Sequence, residues 1–90
     1  MKFEKENHLL KLLKAASNAN RLKILQILAE TKTPVNVTAL VGKVGISQAT
    51  LSNHLALLRK DGVVTAKQDA QNMYYSIKDE AALKLLKTLD

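Results

Sequence analysis

Residues able to carry covalent or proton-transfer chemistry are few in this chain, and they are scattered. The two histidines, His8 and His54, stand far apart, and there is no cysteine. The acidic residues Glu30, Asp69, Asp79 and Glu80 share no spacing with a nucleophile, and no glycine-rich phosphate loop or metal-ligand cluster occurs. These absences argue against an enzyme and against a cofactor. The missing thiols also exclude disulfides, thiolate metal sites and thiol redox sensing by this chain. The chemistry that is patterned is hydrogen bonding. Ser47, Gln48, Ser52 and Asn53 offer hydroxyls and amides, Lys60 an ammonium, and Ala49 and Ala56 only methyl groups. Glutamine and asparagine can bond an adenine edge bidentately, and serine can bond several bases, so this set suits the major groove of duplex DNA.

A helix is needed to align those groups. Ser47 is a helix N-cap residue and Gly62 a C-terminal stop. At about 100° per residue, Leu51, Leu55 and Leu58 make one apolar stripe. Ala49, Ser52, Asn53, Ala56 and Lys60 occupy the opposite face, and the alanines let a partner's surface come close. An ordinary amphipathic surface helix would carry the same stripe, so the preceding residues decide the reading. A helix from about Val37 to Val44 turns Leu40, Val41 and Val44 inward, and Gly45-Ile46 makes a short turn into Ser47. Two helices joined by such a glycine-containing turn form a helix-turn-helix. In that motif the N-terminal residues of the second helix lie nearest the base edges.

The 90 residues make one domain, 1–90, with nearly half its residues apolar and a net charge of +6. Between Lys43 and Lys78 there are five basic and two acidic residues, a balance that favours a polyanionic partner. Only Phe3, Tyr74 and Tyr75 are aromatic, which is thin for stacking on single strands and favours a duplex. No apolar run is long enough to span a membrane, and Met1 to His8 lacks a signal peptide's apolar region, so a cytoplasmic protein is expected.

Glu4 to Ala16 reads as a helix with Leu9, Leu12, Leu13 and Ala16 on one side. After the break at Ser17-Asn18, the helix Ala19 to Glu30 is apolar around most of its circumference and should be the buried central helix. Thr31 to Pro34 is a loop, and Val35 to Val37 a short strand. Val63 to Lys67 and Met73 to Ile77 are β-rich runs about a polar link, Gln68 to Asn72, which predicts a hairpin. Asp79 can cap a last helix through Leu89, whose apolar side is Ala82, Leu83, Leu86 and Leu89, widened by Leu85. The leucines of the first and last helices, Leu9, Leu12, Leu13, Leu83, Leu86 and Leu89, exceed what one small core needs. They are expected to bury against each other and against a second copy. The fold class is therefore mainly α with a small β-hairpin, a winged helix-turn-helix dimerised through its first and last helices.

Ser17-Asn-Ala-Asn-Arg-Leu-Lys-Ile-Leu25, Gly45-Ile-Ser-Gln-Ala-Thr-Leu-Ser-Asn-His-Leu55, Leu58-Arg-Lys-Asp-Gly-Val63 and Tyr74-Tyr-Ser76 resemble the signature blocks of ArsR/SmtB-family repressors, in that family's order and spacing. The resemblance covers nearly the whole chain. It implies a dimeric winged helix that binds palindromic operators and usually represses transcription. Many family members carry Gly-Arg at the wing where this chain has Ala70-Gln71, a form similar to the NolR/HlyU-like branch. The family's metal-binding cysteines correspond here to Asn36 and Thr38, its sulfur-sensing cysteine corresponds to Gln26, and the last helix has no histidine. The family's three sensing solutions are therefore missing here, so the resemblance implies DNA binding, leaves the inducer open and offers no metal site.

Lys43, Arg59, Lys60, Lys67 and Gln71 are the residues expected to meet phosphates, although Arg59 and Lys60 would also offset the dipole of their helix without any ligand. His54 is expected on the helix flank, hydrogen-bonded within the domain. Arg21 suits a structural ion pair as well as a phosphate. Of Tyr74 and Tyr75, alternation places one in the core. A repressor is the leading function. An activator that displaces another DNA-bound protein, or a protein-interaction winged helix that has lost DNA binding, are the alternatives.

Overall fold

The computed structural model describes residues 10–31, 33–78 and 80–88. Residues 10–16 are helical (α1). Next come α2 (Ala19–Glu30), β1 (Val35–Asn36), α3 (Val37–Val44), α4 (Gln48–Lys60), β2 (Val64–Asp69), β3 (Asn72–Ile77) and α5 (Glu80–Thr88). The three strands form one antiparallel sheet in the order β1-β3-β2. No helix among the described residues is long and apolar enough to cross a membrane.

The central helix is α2. Asn18 caps it by accepting the Arg21 N–H at 3.1 Å, and it buries Ile24, Leu25, Leu28 and Ala29. Leu40 and Val44 of α3, Leu51, Leu55 and Leu58 of α4, Val35 of β1 and Val64 of β2 complete the core with Leu12, Ala15, Ala82 and Leu86. The Lys23 ammonium of α2 donates to the Val44 carbonyl at 3.2 Å. One of the unpaired carbonyls at the end of α3 is thereby satisfied.

The hairpin is longer than its composition predicts. Its ladder runs from Val64 opposite Ile77 to Asp69 opposite Asn72, leaving only Ala70-Gln71 as the turn. Gln68, Asp69 and Asn72 have poor strand propensity, but ladder hydrogen bonds outweigh so weak a preference. Ala70 has φ 56, and Gln68 Nε2 donates to the Ala70 carbonyl at 3.3 Å. A positive φ at the first but not the second turn residue is the pattern of a type II′ hairpin. The expected strand at Val35 to Val37 ends a residue early. Asn36 accepts the Thr38 N–H at 2.7 Å and so caps α3, which begins at Val37. Its pairing with β3, Val35 opposite Tyr75 and Asn36 opposite Tyr74, adds a third strand to the expected hairpin.

The leucine faces of the terminal helices need correction. Leu12 and Leu86 are 5% and 2% exposed within the single chain, so neither waits for a second copy. The reason is that α5 packs on α2 and β3, which closes the core over Leu86. The buried stripe of α1 is Leu12 and Ala15, whereas Leu10 and Leu13 are 62% and 51% exposed. Leu83 is half-buried. Leu9, Leu89 and the expected cap Asp79 lie outside the described residues, as does His8.

Candidate nucleic-acid interface

The helix-turn-helix is built by local signals that agree with one another. Gly45 ends α3 at φ 80, in the left-handed region, and its N–H donates to the Val41 carbonyl at 3.0 Å. A β-carbon disfavours that conformation, so glycine suits the sharp turn. Two residues later the Ser47 Oγ accepts the Thr50 N–H at 3.1 Å and starts α4. The same hydroxyl donates to Thr50 Oγ1 at 2.8 Å. The two hydroxyls thus lie together at the exposed start of the helix.

At its other end α4 closes with a Schellman arrangement. The Gly62 N–H donates to the Arg59 carbonyl and the Val63 N–H to the Leu58 carbonyl, each at 3.0 Å, with Gly62 at φ 76. Val63 and Leu58 are both buried, which supplies the apolar contact that accompanies this motif. Leu51, Leu55 and Leu58 are at most 1% exposed. Truncating one to alanine should cost about 2–5 kcal/mol, so the orientation of α4 is strongly held.

With that stripe inward, the expected base-reading face is outward. Gln48, Ala49, Ser52, Asn53 and Ala56 are all exposed. Lys43, in the last turn of α3, and Arg59 and Lys60, in the last turn of α4, are exposed cations at helix ends. Lys67 is exposed on β2 opposite Tyr74, and Gln71 is exposed at the hairpin tip. Tyr75 is the tyrosine that packs against the core. Thr50 and Leu57, also exposed on α4, were not among the expected site residues. The signal for Thr50 was its place three residues after the cap.

Two buried polar atoms stand out. His54 is half-buried on the flank of α4, and its Nδ1 has no hydrogen-bond partner among the described residues. Nδ1 therefore does not supply the hydrogen bond within the domain that was expected of His54. The position lies beside the buried Leu55 in sequence, on the flank of the leucine stripe. Arg21 Nε is likewise buried and unpartnered. Among the described residues, no three His, Asp or Glu side chains group so as to hold a metal ion.

Residues 18–66 match the family described as "Bacterial regulatory protein, arsR family". The nodulation protein NolR of Rhizobium meliloti is 46% identical over 77 residues, 86% of this chain but 62% of NolR. This chain thus spans less than two thirds of that relative's length. The transcriptional activator HlyU of Vibrio cholerae is 36% identical over 87% of this chain and 70% of its own. A solved structure of that HlyU superposes with a TM-score of 0.86 over 94% of this chain and 90% of its own, at 33% identity. The transcriptional repressor BigR of Xylella fastidiosa gives 0.85 over 98% and 88%, at 30% identity. The homodimeric winged helix-turn-helix DNA-binding domain Mb0332 of Mycobacterium bovis gives 0.82 over 98% and 80%, at 28% identity. With its capped helix-turn-helix, its β-hairpin wing and these likenesses, the chain belongs to the arsR family of bacterial regulatory proteins.

Proposed function

We propose that this protein is a sequence-specific transcriptional regulator that binds double-stranded DNA as a homodimer and represses from a palindromic operator. The observation that carries the reading is the outer face of α4, where Gln48, Ala49, Ser52, Asn53 and Ala56 are exposed together while Leu51, Leu55 and Leu58 hold the helix from behind. Small side chains admit the helix to the major groove, and the amides and hydroxyls bond base edges. Lys43, Arg59, Lys60, Lys67 and Gln71 position the domain on phosphates and carry no sequence information. The exposed Leu10 and Leu13 of α1 lie on neighbouring turns and supply an apolar surface for a second copy. The protein works in the cytoplasm, with no metal or other cofactor, and binds rather than catalyses.

Repression is favoured by the likeness to BigR, described as a transcriptional repressor. The likeness to HlyU, described as a transcriptional activator, favours a second reading, in which the protein raises transcription by displacing another DNA-bound repressor. Target transcript levels with and without the gene separate the two. Selection of bound sequences from random duplexes at physiological salt tests the common claim. A palindrome should be enriched. Recovery of no bound duplex would leave a winged helix that binds partners other than DNA.

A further inference from the structure

We infer that Leu57 is a specificity-determining residue, which packs against the C5-methyl group of a thymine in each operator half-site. The inference rests on the DNA-binding reading above and adds a base preference to it. Nine residues of α4 are exposed, and Leu57 is the one large apolar side chain among them. It is 47% exposed, although every other leucine of α4 is at most 1% exposed. A lone leucine on a surface carries no message by itself; its placing does. Leu57 follows Asn53 by four residues and precedes Lys60 by three, so the three line one edge of the helix. Ala56 beside it keeps that edge low.

The order along this edge matches what a helix leaving the major groove would meet. Asn53 has the amide that bonds an adenine, and Lys60 the cation that meets a phosphate. Between them Leu57 has no polar group, and a position facing phosphate would favour a cation. The apolar feature of the major groove is the thymine methyl. Four residues of helix advance about 6 Å, and successive base pairs are about 3.4 Å apart. The thymine therefore lies within two steps of the pair that Asn53 touches. Among the described residues the other large exposed leucines, Leu10 and Leu13, sit on α1, a different element, which the proposed dimer covers.

The test replaces each thymine of the selected operator in turn by deoxyuridine, which removes only the methyl group, and measures affinity for the parent and for Leu57→Ala. At one thymine per half-site the parent should lose about fourfold for the lost methyl contact, and about 15-fold when both half-sites are changed. Leu57→Ala should bind the unmodified operator more weakly and be indifferent to uridine at that position. Leu57→Met, which keeps apolar volume, should retain the uridine effect. If the parent binds its operator but no uridine position loses its effect in Leu57→Ala, the inference is overturned and the DNA-binding reading stands. Sedimentation showing that Leu57→Ala turns a dimer into monomers would also overturn it, since Leu57 would then be covered by a second copy. Failure of the parent to bind any duplex would remove both.

Discussion

The Lys23 ammonium and the Val44 carbonyl meet at 3.2 Å, and through them the central helix holds the end of α3 at the point where the chain turns into α4. A charged donor at a helix C-terminus also complements the helix dipole. Lys23→Met keeps the alkyl stem and removes the ammonium. It should cost about 1 kcal/mol and lower Tm by about 4–8 °C. Operator affinity should fall more than melting alone explains, because the turn into α4 loses a tie. Thermal melting beside operator titration checks both, and an unchanged melting curve would contradict the assigned role.

The wing tip carries backbone strain. Ala70 sits at φ 56, where a β-carbon costs about 1–2 kcal/mol. Ala70→Gly should therefore raise Tm by several degrees, with the entropy of the unfolded chain taking back part of the gain. Ala70→Val should lower it, since a β-branched residue tolerates the left-handed region poorly. A glycine variant that melts below the parent would show that the turn is held another way.

Dimerisation is expected to respond to Leu10 and Leu13 rather than to Leu12 and Leu86. Leu13→Lys should leave the fold intact and shift the protein toward monomer in sedimentation at micromolar concentration, with loss of operator binding. Leu86→Lys should instead unfold the chain, because it places an unpaired charge at a side chain only 2% exposed. A Leu13→Lys protein that stays fully dimeric would place the interface elsewhere.

Metal addition or removal should leave operator binding unchanged. Zinc takes closed sets of about four Cys, His or carboxylate ligands. This chain has no cysteine and only His8 and His54. A tight zinc titration with a matching loss of operator affinity would contradict this.

The helix-turn-helix was legible because its signals are local. Ser47, Gly45 and Gly62 are recognisable by residue type, and the Leu51, Leu55, Leu58 stripe by period. Two kinds of feature were not legible. Contacts between residues distant in sequence, such as Lys23 with Val44 or β1 with β3, leave no periodic trace. Nor does periodicity say which of two neighbouring leucines a small core will take. In α1 the core took Leu12 with Ala15 and left Leu13 outside, because a seven-residue apolar period covers more of the helix than the core can bury. The exposure of Gln48, Ala49, Ser52 and Asn53 follows from the inward stripe, whereas their reading as a DNA-facing set needs the preceding helix and turn as well.

Entry of α4 into the major groove is tested most directly by operator affinity, measured beside Tm, for Gln48→Ala, Asn53→Ala and Ala49→Leu. Each polar replacement should cost about 1–3 kcal/mol at the operator and relax preference at one base pair. Replacing Lys43, Arg59, Lys60 or Lys67 should weaken specific and non-specific duplexes alike and lower the salt slope by about one. Ala49→Leu should block binding by bulk while melting like the parent, because Ala49 is exposed and opposite the buried stripe. If all three α4 variants melt as the parent does and bind the operator equally well, this helix does not enter the groove and the central claim fails.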